Sequence, residues 1–446
     1  MATTYLNRTL GTPTDSKKWT FSAWIKKTED VTSPGDVGLM QIGSTYYTRL
    51  NFPGSGQLEF DNYDGGFDGR RMTSAFYYDP TAWYHIVAVF DSDNGNADDR
   101  MILYVNGSRI TAFGTDSDPT SGATSGGNTS GEAFEIGRAA GTQYFNGEMA
   151  HAHFCDGQAY AASDFGETDS TSGIWVAKTS PAVTYGTNGV FIKFQDTSAF
   201  GDDSSGNNND MTMSGTITQT KDNPDDNMCT MNSLDNYYAQ YTFSNGNNTI
   251  TNTGSKGFAS ATVSLFKGLW YWEIKPTAQP GGAYSLIGIA DVPTQGTGAS
   301  NYLGYTALEW AYYASDGNSR NNQASTSYGD TWTTDDIIGV YLDLNANKLY
   351  FAKNGTIQNS GTGISITAVG STTNGFYFPA TGYNDTSASV YQHNFGNGYF
   401  GTDLIASASA DAGGEGQFKY NPSTGTFDGS SKDFRAICVN NIATYG

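Results

Sequence analysis

An all-β chain folded as two tandem antiparallel β-sandwiches is what this sequence predicts, and three observations predict it. Helical periodicity is nearly absent, and short alternating apolar/polar runs recur between clusters of Gly, Asn, Asp, Ser and Thr. Aromatic residues make up 14% of the chain, and 55 Gly stand against 12 Pro, a composition that suits pleated, packed faces and turns and does not suit disorder. The 446 residues are enough for two sizeable cores or three.

The elements follow in order. Residues 19–25, 83–90 and 101–105 are the first strong strands, and the last of them runs into Asn106-Gly107, a dipeptide suited to the positive φ of a hairpin turn. Residues 114–131 hold no large apolar side chain and predict a long exposed loop. Strands resume at 133–136 and 145–154. After residue 165 the pattern loosens, and Asp202 to Asp210 reads as a loop. A second set of strands starts near residue 237 and runs to about 400, with 269–274, 337–342 and 348–352 as its strongest members. The expected organisation is therefore a sandwich over 1–165, a Gly/Asn/Asp-rich connection over 166–236 packed partly on either sandwich, and a second sandwich over 237–400. A short C-terminal extension over 401–446 follows, with two short strands around Phe418 and Ile437.

Charge narrows the function. The 23 Lys+Arg and 44 Asp+Glu leave −21, and no basic run exceeds two residues, so nucleic acid is excluded as a partner. No stretch of 18 apolar residues exists to insert in a membrane as a helix. The first eight residues lack the apolar segment of a signal peptide, and Cys155, Cys229 and Cys438 are far apart and odd in number. Both points lead to an expectation of synthesis in a reducing cytoplasm without a disulfide framework.

Five motifs stand in order in the first part: Trp19-Thr20-Phe21-Ser22-Ala23-Trp24-Ile25, Trp83-Tyr84-His85-Ile86-Val87-Ala88-Val89-Phe90, Leu103-Tyr104-Val105-Asn106-Gly107, Phe134-Glu135-Ile136-Gly137 and Phe145-Asn146-Gly147-Glu148-Met149-Ala150. On these the chain resembles the laminin-G, or concanavalin-A-like, lectin/glucanase superfamily, which implies a jelly roll of two antiparallel sheets. Residues of about 255–400 resemble a SPRY domain. The motifs are Gly268-Leu269-Trp270-Tyr271-Trp272-Glu273-Ile274, Ile287-Gly288-Ile289-Ala290, Asp335-Asp336-Ile337-Ile338-Gly339-Val340-Tyr341-Leu342-Asp343 and Lys348-Leu349-Tyr350-Phe351-Ala352-Lys353-Asn354-Gly355. That resemblance implies a second sandwich whose loops grip ligands. Together with Asn188-Gly189-Val190-Phe191-Ile192-Lys193-Phe194 and the ending around Phe418 and Phe434, the arrangement is similar to proteins encoded by marine bacteriophages.

This resemblance implies a virion surface protein, a tail fibre, spike or appendage that adsorbs to a host-surface glycan or protein. It would be made in the host cytoplasm, contact other virion proteins and self-associate, with a trimer as the expected assembly. Two rivals stay open: a capsid decoration or tail-assembly protein that binds only virion subunits, and a glycan hydrolase.

No nucleophile elbow, Walker loop or Cys/His dyad pattern occurs, so no enzyme is expected. Glu59 and Asp61 share a strand face as a glycosidase pair would. They depart from the laminarinase-like pattern, which ends in Glu, and lack its Trp-rich cleft segments, so the favoured reading is a polar strand edge entering the Asp64-Gly65-Gly66 turn. No cofactor is required, but Asp91, Asp93 and Asp98 concentrate oxygen ligands that calcium could use. His151, His153 and Cys155 fall on one strand face, where a transition metal or a half-buried strand would account for them.

Aromatic binding is the stronger case, because sugar rings present apolar faces that stack on Tyr and Trp while polar side chains bond the hydroxyls. The candidates are Tyr63, Phe67, Arg70, Tyr77 and Tyr78 around the loop after residue 63, with Phe60 and Phe76 beside them, and Trp310, Tyr312, Tyr313, Arg320, Asn321 and Asn322 in the second half. The competing reading is that these rings fill the cores.

Overall fold

The computed structural model describes residues 3–28, 37–54, 56–170, 173–235, 241–252, 254, 256–292 and 302–446. The described chain is all-β apart from short 3-10 turns and one helix, Val439–Tyr445. It divides into two compact units, residues 1–219 and 220–446. The connecting region therefore splits, its first part completing the first unit and its last part joining the second. The predicted start of the second strand set near 237 lies outside the described residues.

The first unit begins with β1 (Tyr5–Thr9), β2 (Lys18–Lys27), β3 (Val37–Ile42), β4 (Tyr47–Phe52), β5 (Gln57–Tyr63) and β6 (Phe67–Phe76). It continues with β7 (Trp83–Asp91), β8 (Met101–Val105), β9 (Ser108–Arg109), β10 (Phe113–Ser117), β11 (Ala133–Ile136), β12 (Arg138–Ala139) and β13 (Gln143–Tyr144). The last strands are β14 (Gly147–Asp156), β15 (Gly166–Thr168), β16 (Trp175–Ala177), β17 (Val190–Ile192) and β18 (Thr212–Ser214). One sheet runs β10-β6-β5-β4-β3-β11-β1-β18 and the other β17-β14-β2-β7-β8-β9. Period-two alternation decides which side chains meet between them. Trp19, Phe21, Ala23 and Ile25 of β2 and Leu50, Phe52, Leu58 and Phe60 of β4 and β5 fill the shared core. The Asn106-Gly107 turn forms as its chemistry requires, with φ of 48° and 78° closing Val105 onto Ser108.

The predicted loop over 114–131 is corrected. Residues 113–117 are an edge strand on β6, and Ser125, Gly126, Gly127 and Asn128 are buried. Ser125 Oγ accepts from Trp19 Nε1 at 3.1 Å and lies 2.7 Å from Thr48 Oγ1. Composition misled here because the glycines serve close packing: a Cβ on Gly127 would lie 2.0 Å from the Ile42 carbonyl oxygen. Gly127→Ala is expected to destabilise the first unit by about 3 kcal/mol, measurable by urea unfolding.

In the second unit one sheet runs Tyr241–Ser244, Thr249–Asn252, Ser389–Asn394, Leu269–Ala278, Ile338–Asp343, Lys348–Lys353 and Thr356–Ile357, with Ile364–Ser365 also paired to Lys348–Lys353. The other runs Gly257–Ser260, Phe378–Tyr383, Ser285–Ala290, Glu309–Tyr313, Asn318–Asn321 and Ala324–Ser327. Trp270, Trp272, Ile287, Val340 and Phe351 are among the side chains packed between them.

The alternate residues Tyr271, Tyr341 and Tyr350 face outward and are sealed by Phe418, Phe427, Phe434 and Ala436. The C-terminal extension is thus a third layer. The strand predicted at Phe418 exists as Gln417–Phe418, paired with Ser409–Ala410. The one predicted at Ile437 does not: that stretch makes single bridges, Cys438 with Met228 and Arg435 with Trp270, and then enters the helix.

Candidate functional site

On the first unit's eight-stranded sheet, the side chains that alternate with the core residues build an ionic and aromatic platform. One register row joins Glu135 to Gln41, Gln41 to Arg49, Arg49 to Asp61 and Asp61 to Arg70. The β12–β13 hairpin crosses this face, and its Ala140 N–H donates to Gln41 Oε1 at 2.8 Å, so the hairpin walls off the β4–β6 portion.

Within that portion Arg49 Nη2 lies 2.6 Å from Asp61 Oδ2 and 3.7 Å from Glu59 Oε2. Arg70 Nε donates to Glu59 Oε1 at 2.8 Å and lies 3.2 Å from Asp61 Oδ1. Two guanidinium groups thus neutralise two buried carboxylates. Burial, and then the Glu59 charge, push the Asp61 carboxyl up, against the pull of both arginines. Burial opposes the Arg70 charge, but the Glu59 hydrogen bond and the nearby acids outweigh it and raise its pKa.

Rings line the same portion. Tyr47 and Tyr63 stack at 5.1 Å and 10°, and Phe67 meets Tyr63 edge-on at 5.4 Å. Arg49 lies 5.3 Å from the centre of the Tyr47 ring and Arg70 4.5 Å from that of Phe67. Phe67 is 48% exposed, so the platform has a solvent-facing ring. Next to Glu59 in register, Asn51 is fully buried, and both its amide atoms lack a hydrogen-bond partner among the described residues.

The structure therefore brings together Tyr63, Phe67 and Arg70 and adds Tyr47, Arg49, Asn51, Glu59 and Asp61. The signal for Tyr47, Arg49 and Asn51 was the alternation with Leu50 and Phe52, which marks a strand but does not say which strands lie beside it. Other candidates are corrected. Phe60 and Tyr77 belong to the core, because each sits at an inward position. Phe76 and Tyr78 are exposed and stacked at 5.6 Å, but Phe76 pairs with Gln57 and Phe67 with Tyr63, which sets them about 20 Å apart along the sheet.

In the second unit Trp310 and Tyr312 are core residues. Tyr313 is buried beneath Arg320, whose guanidinium lies 4.5 Å from its ring centre and is held by Asp316. Asn321 Nδ2 donates to the Glu309 carbonyl at 2.8 Å, a bracing contact. These residues form no exposed aromatic cluster, because strand Glu309–Tyr313 is buried on both faces. Asn322 is a turn residue with φ 50°.

The calcium candidates are engaged or apart. Asp91 Oδ2 lies 3.2 Å from Lys18 Nζ and Asp93 Oδ1 3.3 Å from Lys17 Nζ, while Asp98 sits in a 3-10 turn whose residues are not buried. No group of three or more His, Cys, Asp or Glu side chains able to hold a metal ion occurs among the described residues. The His-x-His-x-Cys face is broken by a bulge at His151, φ 48°. His153 Nδ1 bonds the Tyr185 hydroxyl at 3.0 Å, and Cys155 is fully buried.

Comparison with known proteins accords with the two sandwiches. Residues 2–163 match the concanavalin A-like lectin/glucanases superfamily and residues 269–398 match the SPRY domain. The chain carries a concanavalin-A-like lectin domain followed by a SPRY domain. Among its relatives is Ran-binding protein 9 of Xenopus tropicalis, 30% identical over 31% of this chain and 23% of that protein. Another is Ran-binding protein 10 of Danio rerio, 25% identical over 40% of this chain and 27% of that protein. The chain spans about a quarter of the length of these relatives. The crystal structure of the SPRY domain of human HERC1 is also similar, at 19% identity and TM-score 0.28, covering 34% of this chain and 91% of that one.

Proposed function

We propose that this chain is a non-enzymatic binding protein whose lectin-like sandwich holds a glycan on the β4–β6 platform, displayed on a bacteriophage particle as a tail fibre, spike or appendage that adsorbs to the host surface. The observation that carries the glycan reading is the platform itself: stacked tyrosines and an exposed Phe67 for the apolar face of a sugar, and beside them the partly exposed Arg70 guanidinium for its hydroxyls. The virion reading rests on the similarity of the whole arrangement to marine bacteriophage proteins, and peptides of this chain in purified particles would support it.

Purified protein on a glycan array is expected to bind, and Tyr63→Ala and Arg70→Ala to weaken binding by roughly tenfold. No adsorption to any glycan or host cell would remove the reading. It would leave the structural rival, a capsid or tail component contacting virion subunits, which burial of the platform against another subunit would favour. A glycan hydrolase has one observation behind it, the neighbouring Glu59 and Asp61. Release of reducing ends that disappears in Glu59→Gln would establish it. Self-association, with a trimer as the expected form, is read by light scattering.

A further inference from the structure

The oxygen-rich turn after β7 forms one wall of a cleft of about 380 Å³ on the outer face of the first unit's other sheet. Val89 and Ile102, paired across β7 and β8, make its floor, and the half-buried rings of Tyr104 and Tyr160 stand beside it. The rim is polar. Asp99 Oδ1 lies 2.6 Å from Arg109 Nη2, and Asp91 is 9% exposed with its Oδ1 lacking any hydrogen-bond donor among the described residues.

We propose that this cleft binds a single neutral pyranose ring. Its volume is at the small end for ligand sites, the scale of one ring. Its apolar floor and tyrosine sides suit the C–H face of a sugar, and the partly exposed Asp99 and Arg109 at the rim offer an acceptor and donors to its hydroxyls. Each acid at the rim that faces a cation is already paired, Asp91 with Lys18 and Asp99 with Arg109, so no charge is left over for an acidic or basic ring. The site is on the opposite sheet from the platform and does not depend on it.

Saturation-transfer NMR of the full chain with methyl glycosides of glucose, galactose and mannose tests this. In an Arg70→Ala chain, which removes the platform's share, at least one is expected to receive saturation from tyrosine protons, with affinity falling roughly tenfold when Tyr104→Ala or Arg109→Gln is added. Near-UV circular dichroism checks that the variants fold. Binding lost in Arg70→Ala and kept in both cleft variants would overturn the assignment while retaining the platform. No transfer to any glycoside, or thermal stabilisation by calcium that Asp91→Asn abolishes, would overturn it too.

Discussion

Lowering the pH from 7 to 5 is expected to unfold the first sandwich ahead of the second. His85 and His153 are buried in the first unit. Trp175 Nε1 donates to His85 Nδ1 at 3.0 Å, so His85 Nε2 carries the proton toward Ser22 Oγ, 2.8 Å away, and the ring is neutral. Burial pushes His85 from 6.5 down to about 3, and lowers His153 well below its ordinary value.

The unfolded chain takes up protons at these histidines below about 6.5 while the folded chain refuses them. Stability is therefore full above that pH and falls as the pH drops toward 3. At pH 5 His85 costs about 2 kcal/mol, and His153 adds a cost of the same sign. Asp61, raised by burial, works the other way in the same unit.

The second unit has one comparable histidine, His393, lowered to about 3 by burial. It is set against three carboxyls that burial raises: Glu273, Glu309 and Asp226. Those groups favour the folded state as the pH falls toward their ordinary range. Calorimetry from pH 7.5 to 4.5, with the transitions assigned by hydrogen exchange, checks the order. A second-unit transition that falls first would refute the account.

Glu273→Gln is expected to loosen the C-terminal layer and to cost about 3 kcal/mol. Glu273 is fully buried on the outward face of Leu269–Ala278. Its Oε1 accepts from Tyr420 N at 2.8 Å and the Tyr271 hydroxyl at 3.0 Å, and its Oε2 accepts from Lys419 N at 2.8 Å and Asn394 Nδ2 at 3.1 Å. A carboxylate meets four donors with acceptors only. An amide must turn its NH2 toward one of the two backbone N–H groups, whichever way it lies.

Burial lifts Glu273 from 4.5 to about 7, so its folded form holds a proton through a range in which the unfolded form has lost it. The wild-type second unit should therefore gain about 3 kcal/mol as the pH falls from 7 to 4.5, and the Gln variant should lose that gain. Limited proteolysis should cut the variant first between residues 409 and 438. Unchanged cleavage and an unchanged pH slope would show that the layer is held by its aromatic contacts alone.

The strands were legible wherever apolar residues alternate, as in β2, where Trp19, Phe21, Ala23 and Ile25 point one way. Residues 114–131 were misread because glycine marks both a free turn and a backbone packed too closely for a side chain, and only the neighbour tells which. The platform was half legible. Tyr63, Phe67 and Arg70 lie within a few residues of one another, whereas Tyr47, Arg49 and Asn51 reach them only through strand pairing. Trp310 and Tyr312 carry the same chemistry as binding aromatics, and burial alone assigns them to the core.

Composition and period-two alternation by themselves determined that this chain is all-β, acidic and built as two successive sandwiches, because those features depend on local residue order. Tertiary structure decided which aromatics reach solvent, that Glu59 and Asp61 are tied to arginines, and that the last residues cap the second sandwich. The reason is physical: exposure, ion pairing and capping are set by which strands lie side by side, and registers between distant segments leave no mark in the spacing of neighbouring residues.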